Sequence, residues 1–308
     1  MRLHFVHVRS ARAGAIPLIL THGWPSTFAE LLPLVPLLTN PAEHGIDGPA
    51  FDLVIPSLPG YGFSERPTKP GVTYRYTARL WHRLMAMLGY ERYGAGGGDF
   101  GSGITTLMAL DDPAPLIGIH LTNLELSPSL GPDSSPVTAA EQRYLEQVRH
   151  WDEWERGYSS EQSTKPQTLA YGLNDSPAGL AAWILEKWRS WSDCAGDLEA
   201  KFRRDFLLTV LTIYWTTQTI TSSMRDYYDN RKAQAELRAA LTGRVTVPTA
   251  IAVFPHMFVR EGDPPREWAE RLYNVQQWTR MPRGGHFAPA EEPDLVARDI
   301  ARFFGGLH

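Results

Sequence analysis

The chain lacks several features that would assign it to a class directly. Its 308 residues include one cysteine, Cys194, so no disulfide can form within the chain. This is typical of a reducing, cytoplasmic setting. The sequence has no apolar run of the length that spans a membrane or directs secretion. The net charge of −4 provides no electrostatic attraction to nucleic acid or to an anionic membrane.

What the chain does have is the composition and alternation of an α/β protein. Hydrophobic residues make up 43% of it, enough for a large core. Short apolar segments bounded by turn residues alternate with amphipathic helical segments, which predicts a mostly parallel sheet with helices on both faces. The predicted strands are residues 3–9, 16–21, 51–56, 93–98, 116–123, 245–254 and 274–281.

The alternation stops in the middle of the chain and then resumes. Residues 127–243 show helical periodicity and hold many of the 10 tryptophans. We predict a helical cap there, between a first core segment (residues 1–126) and a second one (residues 244–308). Ligands of open parallel sheets bind beyond the carboxyl ends of the strands, where such a cap encloses them.

The most informative motif is Gly97-Gly98-Asp99-Phe100-Gly101, between a predicted strand and a predicted helix. Small residues on both sides of a central nucleophile are typical of the nucleophile elbow of an α/β-hydrolase. A serine at the centre is typical of an esterase. Aspartate indicates attack on a saturated carbon, because a carboxylate is nucleophilic without a base to activate it. The alkyl ester that results must then be cleaved by water.

Two further segments fit this chemistry. His286 lies in Arg283-Gly284-Gly285-His286-Phe287, after the last strand, where this fold places its base. The segment His22-Gly23-Trp24-Pro25 follows the second strand, where this fold places an oxyanion-hole loop. We expect the backbone N–H groups of Trp24 and Phe100 to form that hole. Ser26 is predicted to cap the helix that follows.

These motifs and several others together resemble one family, the microsomal type of epoxide hydrolase within the α/β-hydrolase superfamily. The resemblance covers nearly the whole chain. It is carried by His22-Gly23-Trp24-Pro25, residues 56–64 (PSLPGYGFS), Gly97-Gly98-Asp99-Phe100-Gly101, residues 162–167 (QSTKPQ), residues 173–187 (LNDSPAGLAAWILEK), Tyr214-Trp215-Thr216-Thr217 and residues 283–288 (RGGHFA).

The resemblance implies conversion of an epoxide to a vicinal diol, with Asp99 as nucleophile and His286 as the base that activates water. It also implies that two cap tyrosines, Tyr158 and Tyr227, protonate the ring oxygen. Tyr228 is the adjacent alternative. A phenol with an ordinary pKa near 10 is still protonated at neutral pH and can donate to an alkoxide. We expect no cofactor and no metal, and an apolar substrate in a detoxification role.

One departure concerns the acid that orients the histidine. The family carries a carboxylate where this chain has Met257, and methionine cannot stabilise an imidazolium. Glu261 and Asp263 lie slightly later, and Glu125 follows the strand that ends near residue 123. Any of these three can serve, or none. Loss of the orienting acid costs orders of magnitude in rate. We therefore expect a slow enzyme that accumulates its covalent intermediate.

Other departures leave alternatives open. The chain begins directly at the first strand, without the family's N-terminal region, so we expect exposed apolar surface and self-association, for example as a homodimer. Haloalkane dehalogenases share the aspartate elbow but follow it with a tryptophan whose side-chain N–H binds halide, and the side chain of Phe100 has no such donor. A dehalogenase-like hydrolase and a decayed enzyme that only binds small molecules are the alternative functions.

Overall fold

A computed structural model describes residues 1–131, 134–257 and 263–307. Within them seven strands form a single sheet in the order β1-β3-β2-β4-β5-β6-β7. Only β1, at one edge, runs antiparallel to its neighbour; the other pairs in this sheet are parallel. The strands are β1 (Phe5–Val8), β2 (Ile16–Thr21), β3 (Phe51–Pro56), β4 (Tyr93–Gly97), β5 (Leu116–Leu121), β6 (Pro248–Val253) and β7 (Asn274–Arg280).

Helices connect these strands and also form a long insertion. Before β5 lie α1 (Leu34–Thr39), α2 (Tyr74–Met87) and α3 (Phe100–Asp111), with short 3₁₀ helices at Phe28–Leu31 and Pro41–His44. Between β5 and β6 the described residues form α4 (Ala139–Trp154), α5 (Gly157–Thr164), α6 (Pro166–Asp175), α7 (Pro177–Trp191), α8 (Leu198–Lys201), α9 (Arg204–Thr217), α10 (Ile220–Lys232) and α11 (Gln234–Ala240). Last come α12 (Arg266–Glu270), α13 (Ala288–Glu291) and α14 (Pro293–Gly305).

The predicted mostly parallel sheet with helices is confirmed, and so is the fold class. The strands β2 and β3 have the predicted bounds because they are short apolar runs that are buried on both faces. The proposed helix cap was wrong. Thr27, not Ser26, accepts the backbone N–H of Ala29, and a separate 3₁₀ turn precedes α1 because Pro33, which has no N–H, lies between the two.

The packing of the sheet sets the position of the site. One apolar cluster lies between the sheet, α2, α3 and the inserted helices; a second lies on the face covered by α1 and α14. Many contacts tie the insertion to the core, and two of them lie close to the site. Trp188 of α7 stacks on Phe287 with ring centroids 3.8 Å apart, and the hydroxyl of Tyr214 on α9 donates to the carbonyl of Ser26 at 2.9 Å.

In the described part of the chain, every helix is too short or too polar to cross a bilayer.

Candidate active site

Asp99 stands at a sharp turn between β4 and α3. Its backbone has φ 51° and ψ −129°, a conformation that costs free energy for a residue with a side chain. The flanking glycines are needed because the turn is packed against β2. A Cβ on Gly97 would lie 2.6 Å from the carbonyl oxygen of Thr21, and one on Gly101 would overlap that same oxygen. The N–H of Asp99 donates to Oδ1 of Asn123 at 2.7 Å, which ties the turn to the segment after β5.

The two oxygens of the Asp99 carboxylate have different surroundings. Oδ1 accepts the backbone N–H of Trp24 at 2.7 Å, and the carboxylate also accepts the backbone N–H of Phe100. These are the two groups expected to form the oxyanion hole. Burial raises the pKa of Asp99 to about 7, with a smaller upward contribution from the charge of Glu125. The nearby His286 and the two N–H donors oppose that rise.

His286 faces the other oxygen of the same carboxylate. Its Nε2 lies 3.5 Å from Oδ2 of Asp99, and the residue is 5% exposed. Burial lowers the pKa of His286, while the charges of Asp99 and Glu125 act in the opposite direction. The imidazole ring packs against Trp191 and Phe287, with centroids 5.2 and 4.9 Å away. A buried neutral imidazole beside a carboxylate has the form that a general base requires.

The loop that carries His286 is held by a carboxyl group that sequence reasoning missed. The side chain of Glu291 accepts backbone N–H groups of Gly285 (3.0 Å), Phe287 (2.9 Å) and, from the segment after α7, Asp193 (2.7 Å). Its burial raises its pKa to about 7. The position of this glutamate five residues after His286, at the end of the short helix α13, was the available signal.

The inserted helices bring the two predicted phenols above the elbow. Tyr158 of α5 stacks on Trp24 with centroids 5.4 Å apart, and Tyr227 of α10 lies 4.8 Å from the ring of Phe100. The two phenol rings are 6.0 Å apart. Burial raises the pKa of Tyr227 well above its usual range, so its hydroxyl stays protonated. The adjacent Tyr228 lines a separate surface groove instead.

A lysine that the sequence analysis did not single out lies against one of these phenols. Nζ of Lys187, on α7, is 4.7 Å from the ring centroid of Tyr158 and 5.7 Å from that of Trp191. The residue is 7% exposed, and its ammonium pairs with Glu186 at 2.5 Å. A cation over an aromatic face is attracted by the ring, and this one also adds positive potential beside Tyr158.

A cavity of about 460 Å³ lies above the elbow, and most of these side chains line it. Asp99, Tyr158, Tyr227 and Glu125 all line it. Its apolar lining comes from aromatic and leucine side chains, whereas its polar lining includes Arg156, Ser159, Ser160, Ser163, Asn230, Arg231 and Gln234. The lining is thus more polar than the apolar substrate expected from the tryptophan-rich sequence would need.

The candidates for the orienting acid differ sharply in position. Asp263 is exposed and pairs with Arg280 at 2.7 Å, so the structure does not bring it to His286. Glu261 lies outside the described residues. Met257 packs at the edge of an apolar cluster. Glu125 lines the same cavity as Asp99, and its charge raises the pKa of both Asp99 and His286.

The carboxylate of Glu125 is itself held in place. The hydroxyl of Tyr74, from the start of α2, donates to Oε1 of Glu125 at 3.0 Å. The ring of Tyr74 packs on Phe100, with centroids 5.0 Å apart. Glu125 is therefore the one carboxylate, of the three weighed from the sequence, that the described structure brings to the site.

The chain is similar in sequence to proteins of one fold. Residues 16–173 match the family described as the alpha/beta hydrolase fold. Epoxide hydrolase 1 of Sus scrofa is 40% identical over 333 residues, which cover 99% of this chain and 72% of that protein.

Solved structures give the same result. The crystal structure of juvenile hormone epoxide hydrolase from the silkworm Bombyx mori superposes with a TM-score of 0.86 at 31% identity, covering 99% of this chain and 76% of that one. The structure of Aspergillus niger epoxide hydrolase superposes with a TM-score of 0.81 at 28% identity, again covering 99% and 76%.

Proposed function

The chain belongs to the epoxide hydrolases of the α/β-hydrolase fold, and we propose that it opens its epoxide in two steps through a covalent ester on Asp99. The substrate is an epoxide, the second reactant is water and the product is a vicinal diol. The steps use side chains and backbone N–H groups of the chain itself and call for no cofactor.

In the first step Oδ2 of Asp99 attacks the less hindered ring carbon. Oδ1 is engaged by the N–H of Trp24 at 2.7 Å, which leaves Oδ2 as the oxygen available for attack. As the C–O bond of the ring breaks, Tyr158 and Tyr227 donate to the departing oxygen, so that an alkoxide is not released into a buried site. The ammonium of Lys187, 4.7 Å from the Tyr158 ring, adds positive potential where the negative charge develops.

In the second step His286 removes a proton from water, and the water oxygen bonds to Cγ of Asp99. The negative charge then falls on Oδ1, where the N–H groups of Trp24 and Phe100 stabilise it. Collapse of this intermediate breaks the bond from Cγ to the alkyl oxygen. The diol oxygen takes its proton from the imidazolium. The second proton of the water, now on the carboxyl of Asp99, returns to the tyrosine that gave up its proton in the first step, and Asp99 is restored as a carboxylate.

Glu125 is the carboxylate that stabilises the imidazolium in this scheme. Its charge acts on the pKa of His286 in the upward direction, which is the action required of the third member of the triad. Tyr74 holds it by a hydrogen bond of 3.0 Å. Placing the acid after β5 compensates for the methionine at position 257.

The observation that carries this proposal is that the two oxygens of the Asp99 carboxylate have different neighbours. One oxygen lies 2.7 Å from the Trp24 N–H, the other 3.5 Å from Nε2 of His286. The test is to mix the wild type, Asp99→Asn and His286→Gln with styrene oxide and to follow diol and protein mass together. We expect diol from the wild type, no adduct on Asp99→Asn, and an adduct on Asp99 that persists in His286→Gln.

Two results would contradict the scheme. One is undiminished diol formation by Asp99→Asn under conditions where its amide is not hydrolysed back to the acid. The other is a His286→Gln variant that turns over at the wild-type rate without an adduct. Chloride release from a chloroalkane, with no diol from any epoxide, would point to the dehalogenase alternative instead.

A further inference from the structure

A second, much smaller cavity lies behind the Asp99 carboxylate, on the side of β2 and the first 3₁₀ helix. Its volume is about 20 Å³, and a water molecule needs roughly 10–15 Å³ measured in this way. Asp99 and His286 both line it, as do Glu30 and Thr21. The space therefore fits one water molecule beside the two groups that must act on water in the second step.

The polar groups on the far wall are ones that the mechanism so far does not use. Glu30 belongs to the 3₁₀ helix Phe28–Leu31 and is 7% exposed. Thr21 ends β2 and is 1% exposed; its hydroxyl has no hydrogen-bond partner among the described residues. A buried hydroxyl without a partner costs free energy, and such groups in a polar cavity are commonly satisfied by a bound water.

We propose that this cavity holds the water that cleaves the Asp99 ester, and that Glu30 and Thr21 are the positioning residues that hold it for His286. The inference rests on the proposed two-step reaction. The lining groups that can bind a water include the carboxyl of Glu30, the hydroxyl of Thr21 and the imidazole of His286. Three hydrogen bonds are the usual number for a buried water.

The location suits attack on the ester carbon from the side opposite the substrate. Asp99 lines both cavities, the large one with the phenols and the small one with His286 and Glu30. The alkyl group of the intermediate occupies the large cavity, so water held in the small one is not displaced by it. His286 accepts the proton, the water oxygen bonds to Cγ, and the alkyl oxygen leaves with that proton.

The burial of Glu30 has a cost that this role would explain. Burial raises its pKa to about 8, with a further upward contribution from Glu291 and an opposing hydrogen bond from Ser26. At neutral pH it is therefore mostly a neutral carboxyl, which can donate to a water without adding a second negative charge beside Asp99. A leucine there would avoid the desolvation cost but could hold no water.

The test separates the two half-reactions under single-turnover conditions, with enzyme in excess over styrene oxide and rapid quenching for protein mass. For Glu30→Leu we expect the adduct to form within about threefold of the wild-type rate and to decay about 10- to 100-fold more slowly. Glu30→Gln keeps a group that can bind water, so its adduct should decay within about fivefold of the wild type. That rescue would not be seen if Glu30 only filled space.

Thr21→Val provides an independent variant of nearly equal shape. It should slow adduct decay severalfold and leave adduct formation unchanged, and its effect should not add to that of Glu30→Leu because both remove the same water. If Glu30→Leu does not fold, Thr21→Val and Glu30→Gln decide the matter in the same assay.

The inference is overturned if the adduct decays at the wild-type rate in both Glu30→Leu and Thr21→Val, or if formation and decay slow equally. These results differ from a failure of the proposed function itself. In that case no adduct would form in the wild type or in His286→Gln, whatever residue stands at position 30.

Discussion

Gly23 has no room for a side chain because the carboxylate of Asp99 occupies that space: a Cβ built on Gly23 would overlap Oδ1. The close approach lets the next N–H, that of Trp24, reach the same oxygen at 2.7 Å. The glycine of the segment His22–Pro25 is thus required by the nucleophile and not by the turn, since its φ is not in the left-handed region.

This relationship predicts a specific defect for Gly23→Ala. The methyl group should displace the carboxylate from the oxyanion hole and slow adduct formation about 100-fold, since a misplacement of 1 Å can cost that much. Single-turnover mass spectrometry with styrene oxide measures it. Gly172→Ala is the matched control, because a Cβ there meets nothing within 4 Å in the middle of α6, and it should react as the wild type does. Equal rates for the two variants would show that the close approach has no role.

Substitutions at Glu125 and Met257 identify the acid that orients His286. Glu125→Gln keeps an acceptor for the Tyr74 hydroxyl but removes the charge, so hydrolysis of the adduct should slow by about 100-fold or more. Because the charge of Glu125 also raises the pKa of Asp99, the variant should form its adduct at lower pH than the wild type does. Met257→Glu should change little. A large gain from Met257→Glu, with no effect of Glu125→Gln, would show that no working acid is present.

The two half-reactions should respond differently to pH. Asp99 must be ionised to attack, and its pKa is raised to about 7, so adduct formation should increase as pH rises through that value. Once Asp99 is an ester, the charge that raised the pKa of His286 is gone, and burial keeps that pKa below its usual range. Hydrolysis should therefore stay constant from pH 9 down to the ordinary imidazole value of about 6.5 and decrease only below it. Stopped-flow measurement of each step from pH 5 to 9 checks this; coincident profiles would contradict it.

The raised pKa of the buried Glu30 predicts that the free energy of unfolding decreases as pH rises. The unfolded chain ionises Glu30 near pH 4.5, while the folded state keeps its proton until about pH 8. Folding is therefore progressively disfavoured as pH rises through this window. Glu30→Gln should gain on the order of 2–4 kcal/mol in unfolding free energy relative to the wild type between pH 5 and 8. Urea denaturation at the two pH values measures the gain; a difference that does not change with pH would mean that Glu30 is ionised in the folded state.

The parts of the site that the sequence predicted are the ones encoded by local patterns. The elbow at residues 97–101 and the loop at residues 283–287 can be recognised in the sequence. Closely packed turns need glycine at fixed offsets from one functional residue. The sheet was predictable because strands such as β2 and β3 are short, buried and largely apolar runs. The predicted cap was wrong by one residue: Thr27, not Ser26, caps the 3₁₀ helix, because the path of the chain after Pro25 starts that helix one residue later.

The orienting acid and the burial of Glu30 could not be predicted from the sequence, because both depend on contacts between segments that are far apart in the chain. Glu125 was one of three candidate carboxylates, and only the packing of α2 on α3 brings Tyr74 to it. Glu30 has no local signature, because a glutamate beside apolar residues in a helical segment normally faces solvent. Its burial follows from its place under the loop of Glu291, which lies more than 250 residues later in the chain.

Labelled water shows whether the epoxide carbon bonds to an oxygen of Asp99. In H₂¹⁸O, with enzyme in excess over the epoxide, the first turnover should yield diol without label, because its new oxygen comes from the carboxylate. The ¹⁸O should then appear in the peptide that contains Asp99. Label in the first-turnover diol, with none in that peptide, would mean that water attacks the epoxide directly and that no ester forms on Asp99.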